Sequence, residues 1–225
     1  MKKYKKIIVI TLSAVLVLLS IWGAGRLSFE IFKDKLESNI FELKDPISVI
    51  NAEYKRPVVC VDWVYDVNDK NKVAGASDYI FVAEVKKVVG TGYTDVKYYG
   101  GFDFDDNPFT RYEIRVLENI KGELITYKDI PLTKYDGVHY FSKKVSALEG
   151  DRLPDEGECY IFLCRTDEDG ELVIGNFGYF CDIYLCRADE FTGNERLIEI
   201  YRDAYENMDE SVYFGEKYKS KYDAE

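Results

Sequence analysis

The chain is short of the patterns that usually carry catalysis. It has no nucleophile elbow, no zinc-protease helix signature, no phosphate-binding glycine loop and no serine-x-x-lysine, which removes the commonest hydrolase, metalloprotease and nucleotide-dependent chemistries. Histidine occurs once, as His139 in DGVHYF. No internal repeat and no low-complexity tract is present, so repeat architectures are excluded. Beyond the N-terminal segment, basic residues are outnumbered by acidic ones. Residues 1–26 hold five of the 30 Lys and Arg and none of the 41 Asp and Glu, so the remainder has a net charge of −16. A surface that acidic repels nucleic-acid backbones and anionic headgroups, whose recognition relies on Lys and Arg.

Long apolar runs are also absent, with one exception. MKKYKK is followed by IIVITLSAVLVLLSIWGAG, and Ile7 to Gly25 gives 19 residues without a charge. That length falls within the roughly 17–25 residues of a membrane-crossing helix. The competing reading is a signal peptide cleaved near residue 25, with Gly23 and Gly25 as small flanking residues. The run exceeds the usual 7–15 or so of a signal peptide, and Trp22 suits an interfacial anchor, which favours the uncleaved span. No cysteine follows the run, so a lipoprotein is excluded. Lysines before the span put the N-terminus in the cytoplasm and everything after about residue 27 outside.

The exported part divides into a helical stalk or linker (27–56), a folded β domain (57–190) and a C-terminal helix with its tail (191–225), behind the anchor (1–26). In 27–45, Phe29, Phe32, Leu36, Ile40 and Leu43 fall at three- and four-residue spacings, a helical stripe that Asp45-Pro46 ends. PVVCVDWVY (57–65) reads as a strand, and DYIFVAEVKKVVG (78–90) as one buried on both faces. TGYTDVKYYGGFDFDDNPF (91–109) reads as a polar, glycine-rich excursion. TRYEIRVLENIKG (110–122) then returns with Tyr112, Ile114 and Val116 on one face and charges on the other. Pro131 confines 126–135 to an edge or a bulge. CYIFLCR and ELVIG flank the Asp169-Gly170 turn. Thr192 and Glu195 suggest a capping box before a helix with Leu197, Tyr201, Tyr205 and Met208 along one side, and the last dozen residues are expected to fray.

The succession SDYIFVAEV, RVLENIKGEL and GECYIFL before a DG turn resembles the netrin-like and TIMP-like modules over about residues 77–185. The resemblance implies an OB-fold barrel, and short strands with two-sided burial and glycine corners point the same way. The expected class is therefore mainly β: a small OB-like barrel with an N-terminal membrane helix, a stalk helix and a C-terminal helix. The inhibitors in that family act through a free amino-terminal cysteine, which MKKYKK does not offer.

Four of the five cysteines sit in ECYIFLC and YFCDIYLC. A five-residue step along a strand puts Cys159 and Cys164 on opposite faces and about 16 Å apart, so they can share neither a disulfide nor a metal. The same holds for Cys181 and Cys186. Across strands, Cys159 would face Phe180, or Cys181 if one residue bulges, allowing a disulfide there; buried thiols are the alternative, and a four-cysteine zinc site is disfavoured by the strand setting. The remaining thiol is Cys60.

The enzyme alternative joins His139 to Cys164-Arg165 or Cys186-Arg187, as in the membrane-anchored sortase transpeptidases, although IFLC and IYLC depart from the sortase strand ending. Asp103, Asp105 and Asp106 suggest calcium, but Pro108 stands where a calcium loop needs glycine, so an acidic loop tip is expected. None of these patterns calls for a cofactor. The leading expectation is a membrane-tethered extracytoplasmic interaction module without catalytic activity, meeting a protein or cell-wall partner through the aromatics of 91–109: Tyr93, Tyr98, Tyr99, Phe102, Phe104 and Phe109.

Overall fold

A computed structural model describes residues 23, 25–56, 65–100, 103–140, 142–146, 151–174, 182–193 and 195–224. Nearly all of the expected membrane span and of the strand over 57–65 lie outside these residues, as do Cys60 and Cys181. Among the described residues no helix is long and apolar enough to cross a membrane.

The fold is mainly β. Strands β1 (Tyr79–Gly100), β2 (Asp103–Lys121), β3 (Asp129–Lys134), β6 (Glu158–Thr166), β7 (Leu172–Ile174) and β8 (Asp182–Arg187) form one sheet. Between them β4 (Gly137–Val138) and β5 (Val145–Ser146) make a separate small hairpin. The pairing runs β1-β2-β3-β7-β6 and returns to β1, with β3 and β7 parallel and β8 added along the first half of β6. The sheet is ring-like and not a closed barrel, because β3 and β7 meet only at Thr133 with Val173 and Lys134 with Ile174. Pro131 lies in β3 outside that contact, where its missing N–H costs no ladder bond.

Alternation along β1 makes two cores. Phe81, Ala83 and Val85 face the inside of the ring with Tyr112, Ile114, Leu132 and Phe162. Ile80 and Val82 face outward with Ile161 and Leu163, under helices α3 (Lys70–Ala76) and α4 (Arg196–Glu206). Asp69 opens α3 by accepting the Asn71 and Lys72 amides, and the Lys121 ammonium donates to the Ala74 and Ser77 carbonyls at its end.

Two expectations are corrected. The excursion over 91–109 is not a loop: β1 and β2 continue as one long hairpin, bent by register shifts at Val85/Lys87, Val88/Gly90 and Thr94/Lys97. The helix over 25–37, here α1, packs on that hairpin: Leu36 is buried against Tyr93 and Val96, and the Glu37 carboxylate accepts the Val96 amide at 2.9 Å. The C-terminal segment does not fray. The Tyr79 hydroxyl donates to Asp223 at 2.9 Å and accepts the Ser220 amide at 2.9 Å, which pins the tail across one end of the ring.

Helix α4 also differs in detail. Glu195 accepts from the Thr192 amide as a capping box requires, but the helix begins at Arg196. Its buried face is Ile198, Tyr201 and Ala204, leaving Leu197 and Tyr205 exposed.

Candidate functional site

Of the six aromatics expected at a contact surface, Tyr93 and Phe109 have side chains among the described residues. Tyr93 is buried, its hydroxyl donates to the Val138 carbonyl at 3.1 Å, and burial pushes its phenol well up. Phe109 is half-buried, edge-on to Tyr135 at 6.3 Å. Tyr98, Tyr99 and Phe104 lie on the strands near the far end of the hairpin, and their side chains, like the whole of Phe102, are outside the described residues.

Among the described residues, Cys159, Cys164 and Cys186 do not meet His139. Cys164 pairs with Tyr79 on β1, and Cys159 with Glu84. His139 follows Val138, whose carbonyl is held by Tyr93, nine residues beyond Glu84 along β1. Cys159 and Cys186 are instead register partners on β6 and β8. Burial, first, and the neighbouring Cys186 push the Cys159 thiol up to about 12, and burial raises Cys186 as well. Neither is a ready thiolate. The expected opposition of Cys159 to Phe180 or Cys181 is thereby corrected: the hairpin after β6 spans Asp167 to Glu171, and β8 pairs with β6 on an edge that β7 leaves free.

His139 has another partner. Asp106, expected at an acidic tip, is buried on β2; one oxygen contacts His139 Nδ1 and the other accepts the Tyr140 amide at 2.9 Å. The carboxylate therefore fixes two successive residues of the β4–β5 connection and leaves Nε2 as the imidazole's other polar atom.

Those two residues form one wall of a cavity of about 680 Å³. The opposite wall comes from the segment after α1 and from helix α2 (Ile47–Glu53) with its following residue Tyr54. Tyr140 meets Phe41 at 5.5 Å and Tyr93 at 5.6 Å, both edge-on. Tyr54 donates to Asp45 at 2.8 Å and lies beneath the Lys143 ammonium, 5.4 Å from its ring centre. Thr91 lines the floor. Its amide and carbonyl both bond to Phe41, while its buried hydroxyl has no hydrogen-bond partner in the structure.

Glycine makes that floor. Gly90 has φ +146°, and a Cβ there would lie 2.9 Å from the Phe41 carbonyl carbon. Gly92 has no room either, since a Cβ would approach the Ile40 side chain to 2.8 Å. The glycines flanking Thr91 thus serve close approach of the 40–41 segment.

A second cavity, of about 710 Å³, includes Asp151, Asp182, Tyr160 and Tyr184. Asp151 and Asp182 are already engaged with the buried Lys134 ammonium, which also lies 3.6 Å from Asp136. Among the described residues no three His, Cys, Asp or Glu side chains gather in a metal-binding arrangement. No family model matches the chain, and no curated protein matches it.

Proposed function

We propose that this protein is a membrane-tethered extracytoplasmic binding module on an OB-type barrel, and that its ligand site is the cavity walled by Phe41, Tyr54, Tyr93 and Tyr140. The observation that carries the reading is the cavity's make-up. A concave space of about 680 Å³, in which four aromatic rings and the aliphatic Leu43, Ile50 and Val138 share the lining with polar and charged side chains, falls within the ordinary range of about 300–1,000 Å³ for a small-ligand site. The tether rests on the lysines before the 19-residue uncharged run, and the side of the membrane on the same lysines. The ring order with one short, partly open seam supports the OB-type assignment, and with it the distant likeness to netrin-like modules.

Asp106 on Nδ1 favours a second reading, in which His139 works as a general base through Nε2. Cys164 and Cys186 are not its nucleophiles in that case.

The test is a ligand-observed NMR screen of small polar fragments against the full chain in lipid nanodiscs, with Tyr140→Ser as comparison. Hits that disappear in the variant support the site. Hits indifferent to Tyr140, or none, overturn it. A hit converted to product by the parent chain and left unchanged by His139→Gln replaces the binding reading with the enzymatic one.

A further inference from the structure

We propose that Lys134 and Asp182 join in an intramolecular isopeptide bond: Lys134 Nζ bonds to the side-chain carboxyl carbon of Asp182, and one water leaves. The inference does not depend on the ligand site proposed above.

Lysine is almost never fully buried, and Lys134 is 1% exposed. Its Nζ touches Asp182 Oδ1, so the carbon it bonds is one bond further on. The Asp182 side chain is itself 3% exposed. Two groups held together in this way react as if at an effective concentration on the order of 10⁵ M or more. In water an ammonium carboxylate does not condense to an amide, because both ions are well hydrated. Here both have lost that hydration, and condensation removes both charges from the interior.

The ion pair itself is inert, since an ammonium has no lone pair and a carboxylate resists attack. The reactive form is the neutral tautomer, amine beside carboxylic acid. Nζ directs its three hydrogens at Asp182, at Asp151 (3.0 Å) and at the Arg152 carbonyl (2.9 Å). The first passes to Asp182, and the lone pair it leaves behind attacks the carboxyl carbon. Asp151 takes the second from nitrogen and delivers it to the hydroxyl that departs as water. The third stays on the amide nitrogen, facing the Arg152 carbonyl. One cation and one anion become a neutral amide, and Asp151 ends as it began. Burial lowers the Lys134 pKa, but Asp182, Asp151 and Asp136 outweigh it and hold the group well above the usual lysine value. The reactive tautomer is therefore scarce and the reaction slow. It has to occur only once per molecule, and the amide is sealed from the water that would hydrolyse it.

The bond falls where the ring is weakest. β3 and β7 meet only at Thr133 with Val173 and Lys134 with Ile174. β3 and β8 are not neighbours in the sheet, so no backbone ladder joins them. A link between residues 48 apart in sequence braces that short seam and ties β8 to it.

Peptide mapping tests the bond on full chain purified folded in nanodiscs, then denatured, reduced and digested with trypsin. The expected product joins the peptide containing Lys134 to the one containing Asp182 and is lighter than their sum by one water. A loss of water confined to one peptide, as an aspartyl-glycine succinimide at Asp136-Gly137 or Asp169-Gly170 gives, overturns the inference. Separate peptides at full mass, from chain that melts cooperatively, overturn it too. Lys134→Arg keeps the positive charge but does not condense, so it should map unlinked with a Tm roughly 10 °C lower. If that variant does not fold, the parent map alone decides. In chain harvested soon after synthesis, Asp151→Asn should lower the linked fraction by about tenfold or more. A parental fraction there overturns the proton transfer assigned to Asp151.

Discussion

Asp106 and His139, 33 residues apart in sequence, are joined carboxylate to Nδ1. Because the second oxygen of Asp106 holds the Tyr140 amide, this one buried side chain ties β2 to the cavity wall. Asp106→Ala is expected to cost roughly 2 kcal/mol in chemical denaturation, since it strands two partners at once. His139→Ala leaves the carboxylate buried with a single amide. The two losses are therefore expected to be non-additive by 1 kcal/mol or more, roughly, in a double-mutant cycle. Additive losses would mean that the contact contributes nothing of its own.

Gly90→Ala should detach the 40–41 segment from the floor of the cavity. The new Cβ meets backbone at Phe41, which cannot swing aside as a side chain could, and φ +146° is unfavourable for any residue with a Cβ. A loss of about 1–3 kcal/mol is expected. Hydrogen exchange locates it: the Phe41 and Thr91 amides, which bond to each other's carbonyls, should lose protection before the ring strands do. Unchanged protection there would show that the segment tolerates the added methyl.

The cluster around Lys134 makes a prediction about pH. Burial, only partly offset by the Lys134 ammonium and reinforced by repulsion from Asp151, raises Asp136 to about 7; burial likewise raises Asp182 to about 6. An unfolded aspartate titrates near 3.9 or so. A folded-state value above the unfolded one gives stability that is complete below about pH 4 and lost as pH rises through about 7. Asp136→Asn, which mimics the protonated form, should match the parent near pH 4 and exceed it at pH 8, on the order of 1 kcal/mol. Thermal melts at the two pH values decide it. Destabilisation at pH 8 would mean that an ionised Asp136 is a net favourable partner of Lys134.

The ring strands were legible because their alternation is coded locally. Tyr112, Ile114 and Val116 against Glu113 and Arg115 can be read as one wet and one dry face before any partner is known, and Arg115 does meet Asp129 on the wet side at 2.7 Å. The outer half of the hairpin was not legible, since Gly90, Gly92 and Asp95 are poor strand residues held in β1 by α1 and the 40–41 segment. Tyr93 was singled out for the wrong reason: an aromatic in a polar stretch marks burial as well as it marks exposure. The Asp106–His139 pair and the unpartnered Thr91 hydroxyl are products of long-range packing, and no spacing along the chain announces either. Tyr79 with Asp223 likewise fixes a tail whose composition alone reads as solvated.

Cys159 and Cys186 give a prediction that also bears on compartment. Directly opposed residues of an antiparallel pair have Cα atoms about 4.5–5.5 Å apart, inside the roughly 4.4–6.8 Å that a disulfide spans. Oxidation removes two hydrogens from the pair and passes two electrons to a disulfide-bearing oxidant, which is reduced to its thiols. The bond would fasten β8, which among the described residues pairs in the sheet with β6 alone, and restrict the unfolded chain by roughly 3–4 kcal/mol on the loop-entropy model. The raised pKa values make exchange slow at neutral pH, so the link should persist once formed. Peptide mapping without reduction, on full chain made with its C-terminal part in an oxidising compartment, is expected to recover a Cys159–Cys186 linkage. Cys186→Ser should lower Tm under oxidising conditions and leave it nearly unchanged under reducing ones, whereas Cys164→Ser, buried inside the ring, should act equally in both. A linkage to Cys181 would show that β8 shifts register on oxidation, and free thiols throughout would place the domain in a reducing compartment, against the topology proposed for it.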